Sequence, residues 1–421
     1  VNGWHRLHPL SPAVRAGRAL IAIGFIFLPS LASGGNSTWD AAWHGVALVT
    51  LIALGFVSWL VTRWRIEGND LRIETGLLRR SSMRYPLSQV QAIDTVRPGI
   101  ARLLGLSELR LRMGGTGGAA RLAYLPVEQA DELRARLLAL SQGAHEHTPE
   151  APDRELVRVP PARVAASLVL SGPAVLLVGY ATVFTAWASA DGAAARTVAA
   201  ATLPILIGDV VALWRRFNRS YNATVAEAPE GLRVRSGLVE TTAETIPRGR
   251  VQAVQMVEPL LWRPFGWCRL EVDVAGRVHD RNDAGRGKRR LRTLLPVGTR
   301  GEAAELLALL VPGAPTPEGK PPRRARWKSP LRYSHLSFGF DERYAIATGG
   351  RLARIASWVP LTKVQSLRRI EGPVQRRLGL ATVYLDTAGR NFGAAFRDLD
   401  GGDSRVALDR LTGFARAARR R

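Results

Sequence analysis

One cysteine, Cys268, stands among 421 residues, so the chain can close no disulfide on itself, as expected in a reducing compartment. Its neighbours Trp267 and Leu270 mark it as a buried strand thiol rather than a reactive one. The seven histidines are scattered. No three of His5, His8, His44, His145, His147, His279 and His335 fall at a spacing that, with carboxylates or Cys268, makes a recognisable metal site or an acid–base set. The glycine-rich run Gly114–Gly118 cradles no nucleotide, because no Gly-Lys-Ser/Thr follows it and it opens no helix. No cofactor and no catalytic residue is therefore expected. Acidic residues are scarce too: 35 Asp plus Glu against 59 Lys plus Arg leave a net charge of +24, which asks for an anionic neighbour.

What is present is one pattern written three times. A glycine is followed at a fixed interval by a proline, then by a Val-Gln pair, then by a distant glycine. The copies are Gly76, Pro86, Val90-Gln91, Gly105; Gly237, Pro247, Val251-Gln252, Gly266; and Gly350, Pro360, Val364-Gln365, Gly379, with identical intervals throughout. A gapless triple match of this kind identifies a repeated module. Apolar residues alternate with polar ones before each proline (Leu71, Ile73; Leu232, Val234) and after each last glycine (Leu109, Leu111; Leu270, Val272; Val383, Leu385), which predicts half-buried strands. Apolar spacing of three and four residues predicts closing helices at 128–141 and 300–311 and around Leu408, Leu411 and Phe414.

Several short strands, the Pro-x-x-x-Val-Gln segment, an Arg-x-x-Gly segment (Arg102, Arg263, Arg376) and a terminal helix together resemble the bacterial pleckstrin-homology-like domain family, in its tandem, membrane-anchored form. The third copy departs most, with Gly350-Arg351-Leu352 where the others have Gly-Leu-Leu or Gly-Leu-Val. The resemblance implies an open barrel-like sheet closed by a C-terminal helix, and no catalytic residues.

Apolar runs complete the picture. Ala19–Trp39, Ala41–Thr62 and Val164–Ala190 carry no charge, and Thr197–Trp214 carries only Asp209. A span of about 20 helical residues crosses about 30 Å of hydrocarbon. Arg15, Arg18, Arg63, Arg65, Arg163, Arg215 and Arg216 flank one side of the runs, whereas the loops at 33–40 and 189–195 have no Lys or Arg. The positive-inside rule then puts both termini and all modules in the cytoplasm of a bacterial cell. A signal peptide cleaved after Ser30-Leu31-Ala32 competes for the first run, but the next span follows after a short loop, which favours a hairpin.

The expected fold class is thus a multidomain membrane protein, with two α-helical transmembrane hairpins and three PH-like β-barrel domains each capped by a C-terminal helix. The expected boundaries are hairpin 1 at 13–62, domain 1 at 63–141, a linker at 142–161, hairpin 2 at 162–214, domain 2 at 215–312, a Pro/Arg-rich linker at 313–330 and domain 3 at 331–418.

The expected function is non-catalytic: PH-like domains that bind anionic lipid headgroups or partner proteins at the inner leaflet, in envelope maintenance or stress tolerance. Its partners would be the anionic phospholipid membrane and a smaller relative carrying the same module, with no nucleic acid. Two basic stretches offer anionic-surface contacts: the loop of Arg277, Arg281, Arg289 and Arg290, and the extended linker with Arg323, Arg324, Arg326 and Lys328. Both also fit solvated, mobile basic surface. Gln91, Gln252 and Gln365 either bond backbone across the sheet or mark a shared groove. A transporter lined by the four spans is the other function class, and Asp209 is its sole polar candidate.

Overall fold

A computed structural model of the protein describes residues 4–12, 46, 50, 53, 56–57, 59–68, 70–75, 81–113, 120–141, 154–189, 192–229, 231–274, 292–388 and 394–420. Most of the first expected hairpin, Gly76 and the arginine-rich loop at 275–291 lie outside these residues. The chain forms two compact units: one holds mainly Val1–Pro152 with Val239–Thr245, the other Asp153–Leu238, Ile246–Gly276 and Asp280–Arg421.

In the first unit β1 (His5–Arg6), β2 (Arg63–Glu67), β3 (Asp70–Thr75) and β4 (Ser81–Pro86) form one antiparallel sheet. A single 3-10 turn, Leu87–Gln89, leads to β5 (Val90–Arg97). After it come α1 (Gly99–Leu103), β6 (Leu106–Met113), β7 (Ala120–Pro126) and α2 (Val127–Ser141), with β7, β6 and β5 side by side. Leu71, Leu87, Ile93, Leu109, Leu111, Leu122 and Leu137 close the core between the two sheets and α2. This is the expected module, and the alternation of Leu109 and Leu111 does place both inward.

The second unit repeats the plan twice. β8 (Arg154–Arg158) is followed by α3 (Pro161–Val169), α4 (Gly172–Ala188) and α5 (Ala193–Ser220), and then by β9 (Thr224–Ala228), β10 (Gly231–Ser236) and β11 (Thr241–Ile246), of which Thr241–Thr245 group with the first unit. Next come β12 (Val251–Pro259), β13 (Trp267–Val274), β14 (Arg292–Thr299) and α6 (Arg300–Leu310). The third copy contributes α7 (Ala325–Lys328), β15 (Ser337–Phe340), β16 (Tyr344–Gly349), β17 (Ala353–Pro360), β18 (Val364–Ile370), α8 (Pro373–Arg377), β19 (Leu380–Thr387), β20 (Ala394–Asp400) and α9 (Gly401–Arg420). β12 also pairs with β17, so the sheets of the second and third copies run on as one of six strands, β14-β13-β12-β17-β16-β15.

Three expectations need correction. The module sheets start before the apolar runs: Arg6 pairs with Arg63 across β1 and β2, and Arg158 with Thr224 across β8 and β9. The 142–161 stretch is therefore not all linker; strands of two and five residues are too short to show a period.

The run Val164–Ala190 is not one helix. It breaks at Leu170-Ser171 and bends by 55°, because Pro173 has no amide to continue the ladder and α3 turns Val164 and Leu168 into the module core.

Among the described residues α5 alone is long and apolar enough to cross a membrane, and α3 with α4 makes a second only if the bent pair counts as one span.

Finally, the 313–330 stretch is no free tether. Gly319 and Phe338 exchange backbone hydrogen bonds of 2.8 and 2.9 Å, Ala325 is buried, Arg324 pairs with Asp400 and Lys328 with Asp398.

Candidate functional site

The repeated residues have local jobs that explain their spacing. Pro86, Pro247 and Pro360 each precede a 3-10 turn that ends at the valine, with φ of −61°, −66° and −64°, the value the ring imposes anyway. Val251 and Val364 are buried, and in each copy the register slips across the following glutamine, so Gln91, Gln252 and Gln365 are β-bulge residues. Gln252 is buried and donates to the Arg250 carbonyl at 3.4 Å, while Gln365 is exposed.

Gly105, Gly266 and Gly379 take φ of +67°, +64° and +60°, the left-handed exit from α1, the Leu260–Phe265 turn and α8. The carbonyl of each accepts the first amide of the closing helix, from Val127 at 3.1 Å, Arg300 at 3.2 Å and Gly401 at 2.9 Å. The first glycine of the pattern is left-handed as well, with φ of +123° at Gly237 and +89° at Gly350. These positions hold the barrel's corners together and bring no chemistry to one point.

A different set of residues does converge. β12 ends at Pro259, and the turn Leu260–Phe265 sends Trp262 inward to 1 % exposure, where its indole N–H donates to the Ser167 carbonyl at 3.0 Å. Leu260, Leu261 and Phe265 are left pointing out. The β16–β17 turn lies beside it: the Leu260 amide donates to the Leu352 carbonyl at 2.7 Å and Arg263 Nη2 to the Arg351 carbonyl at 2.6 Å. Leu352 is 74 % exposed and Phe265 55 %.

The face so built is cationic. Burial, with help from Arg354, Arg263 and Arg351, pushes the His335 imidazole below its ordinary range. Burial and Arg354 also lower Arg263, against the opposing field of Glu258. Glu258 itself is buried and gripped by Arg300 at 2.8 and 3.0 Å, one carboxylate shared among Arg300, Arg263 and the cross-strand Arg354. Guanidinium groups of this kind recognise phosphate oxygens, and leucine and phenylalanine around them suit the headgroup boundary.

Burial first, and then Glu258, pushes the Cys268 thiol up to about 12, so it stays protonated. Among the described residues no three His, Cys, Asp or Glu side chains group as metal ligands.

Of the basic residues singled out from sequence, Arg323 and Arg326 are exposed, with Trp327 exposed next to Arg326, whereas Arg324 and Lys328 are tied to Asp400 and Asp398. Arg277, Arg281, Arg289 and Arg290 lie outside the described residues. Sequence reasoning missed the face at Leu260, Phe265, His335 and Leu352, because its parts come from two copies and meet only through the β12–β17 pairing. The one signal was the departure Gly350-Arg351-Leu352, which puts an arginine and an exposed leucine into that turn.

Apolar surface is also exposed on α4 and α5, which pack on each other: Val175, Leu176, Val178, Val183 and Trp187, and Leu203, Ile205, Ile207 and Val210. Asp209 on α5 is half-buried and makes no ion pair with Arg215.

The sequence profile described as bacterial PH domain matches residues 20–141, 173–310 and 290–404. A relative, the transmembrane protein YdbT of Bacillus subtilis (strain 168), is 26 % identical over 138 residues, 31 % of this chain. The match spans 28 % of that relative's length. No solved structure matches.

Proposed function

The chain belongs to the bacterial PH domain family, and from that premise we propose that it is a non-catalytic integral membrane protein whose PH modules hold the anionic inner leaflet. The observation that carries this reading is the face of Arg263, Arg351, Arg354 and His335 rimmed by Leu260, Phe265 and Leu352, in the same compact unit as the exposed apolar pair α4 and α5. α5, with 28 residues, is about 42 Å long. Such exposed apolar length is costly in water, and each arginine near an anionic leaflet contributes about 1 kcal/mol.

Strand pairing supports an even number of crossings. The chain leaves the second module at Arg158 and returns at Thr224, its cross-strand partner, so whatever lies between begins and ends on one side. Arg6 and Arg63 bracket the first apolar stretch in the same way. Two hairpins with all modules cytoplasmic satisfy both constraints and the arginine flanks. Cysteine labelling with an impermeant reagent in intact cells reads the orientation: Gly35→Cys should label and Gly117→Cys should not, and the opposite result reverses it.

The lipid reading is tested with full-length protein carrying a polarity-sensitive dye at Leu352→Cys, reconstituted in phosphatidylcholine with or without phosphatidylglycerol. A blue shift is expected with phosphatidylglycerol at low salt, weakening with salt and absent in Arg351→Glu/Arg354→Glu. Equal, salt-insensitive spectra in both lipids reject the proposal.

A further inference from the structure

Two strand edges are built like junctions and, among the described residues, pair with no further strand. Within the second unit β12 pairs with β17, Val254 to Trp358 through Val257 to Ile355 and on to Pro259. Within the first unit β5 pairs with β11, Thr95 to Ala243, Val96 to Thr242 and Arg97 to Thr241. Counted from each Val-Gln pair and each proline, these two registers are the same: Val96 and Val257 hold one position, as do Thr242 and Ile355. The strand after Val-Gln in one module thus takes the strand before the proline of the next, twice, in one register. A sheet edge offers a row of amides and carbonyls, and adding a strand to it is a standard mode of protein recognition.

The series has two ends. β18 is the third module's counterpart of β5 and β12, and β4 is the first module's counterpart of β11 and β17; each is the outer strand of its sheet among the described residues. Burial agrees. Val251–Gln255 of β12 are all buried, whereas Gln365, Ser366, Arg368 and Ile370 of β18 are exposed. Ser357, Trp358 and Val359 of β17 are buried, whereas Ser82, Met83 and Arg84 of β4 are exposed.

We propose that β18 of one copy of this chain pairs with β4 of a second copy, in the internal register. That register sets Ile370 opposite Ser81, Arg369 opposite Ser82, Arg368 opposite Met83 and Leu367 opposite Arg84. No arginine then faces an arginine, and Ile370 and Met83, exposed at 42 % and 55 %, become diagonal neighbours on one face. The occupant is a second copy because this chain itself carries the complementary strand, at an outer edge among the described residues, and has already made the same joint twice. The contact is head-to-tail, so it builds a ring or an open row rather than a two-fold dimer.

The test uses full-length protein in membranes, with two differently tagged copies co-expressed, one carrying Arg368→Cys and the other Met83→Cys. Arg368 is exposed, where it pairs with Asp386 and lies over the Tyr384 ring, so its loss leaves the backbone pairing of the strand in place, and the native Cys268 is buried and gives no background. Oxidation is expected to join the two tags at least fivefold more than the out-of-register pair Arg368→Cys with Ser82→Cys. A Met256→Cys/Ala356→Cys protein, whose cross-link lies within one chain, reports that the modules remain folded. Independently, light scattering in detergent should give a mass above one copy, falling to one copy in Ile370→Pro. A one-copy mass in the parent protein with no joined tags overturns the proposal, and so does a cross-link from β18 to a different, single-module polypeptide.

Discussion

Trp262 donates a hydrogen bond from its indole N–H to the Ser167 carbonyl 3.0 Å away, and so binds the second module's core to the helix that leads into the apolar pair. Removing that ring empties a fully buried site. Trp262→Ala is expected to cost about 3–5 kcal/mol, while Trp262→Phe, which keeps most of the volume, costs less. Thermal unfolding of the two variants in detergent ranks them, and equal midpoints would show that the ring is not packed as described.

Glu302 accepts from Arg163 at 2.8 and 2.9 Å and, with Thr299, makes a capping box at the start of α6. Burial alone would raise its pKa, but the bonds from Arg163 and Thr299 outweigh it and the carboxyl lies below the usual glutamate range. A depressed carboxylate stabilises the fold above its unfolded pKa of about 4.5 and loses that contribution as pH falls through the folded value. Glu302→Gln should lower stability at pH 7 and flatten the acid side of the stability curve; an unchanged acid slope contradicts the pairing.

His335 titrates with the opposite consequence for ligand binding. Its folded pKa lies below 6.5, so the unfolded chain takes the proton first and stability is lost as pH drops through the unfolded value. An anion seated against Arg263, Arg351 and Arg354 relieves that repulsion. Binding to phosphatidylglycerol vesicles should therefore tighten as pH falls from 7 toward 5, and His335→Gln should remove the pH dependence while leaving binding at pH 7 nearly intact.

Cys268 has no exposed surface and a thiol pushed up to about 12. Ellman's reagent at pH 8 is expected to leave it untouched in the folded protein and to titrate one thiol per chain in guanidinium chloride. Rapid reaction without denaturant would place the strand elsewhere.

The left-handed glycines differ in what a side chain meets. At Gly266 a Cβ meets nothing within 4 Å, so Gly266→Ala costs the backbone term alone, about 1–2 kcal/mol. At Gly350 a Cβ falls 1.9 Å from the Ala353 carbonyl oxygen, so Gly350→Ala must open the β16–β17 turn and cost more. Comparing the two melting points separates strain from collision.

Much of this was legible in the chain of residues because its signals are local. The period of Leu109 and Leu111, or of Val383 and Leu385, depends only on which face of a strand is wet. The fixed places of Pro86, Pro247 and Pro360, and of Gly105, Gly266 and Gly379, follow from a ring that locks φ and a backbone that lacks Cβ. Three modules, a closing helix in each, and apolar length in excess of any core therefore came from sequence alone. Tertiary structure decided what distance in sequence conceals. Strands β1 and β8 join their sheets from the far side of the apolar runs, Asp398 and Asp400 draw the basic linker onto the third module, and Leu260 meets Leu352 because β12 takes β17 as its neighbour. Each of these is a hydrogen bond or ion pair between groups far apart in the chain, and no periodicity records a partner that only folding brings near.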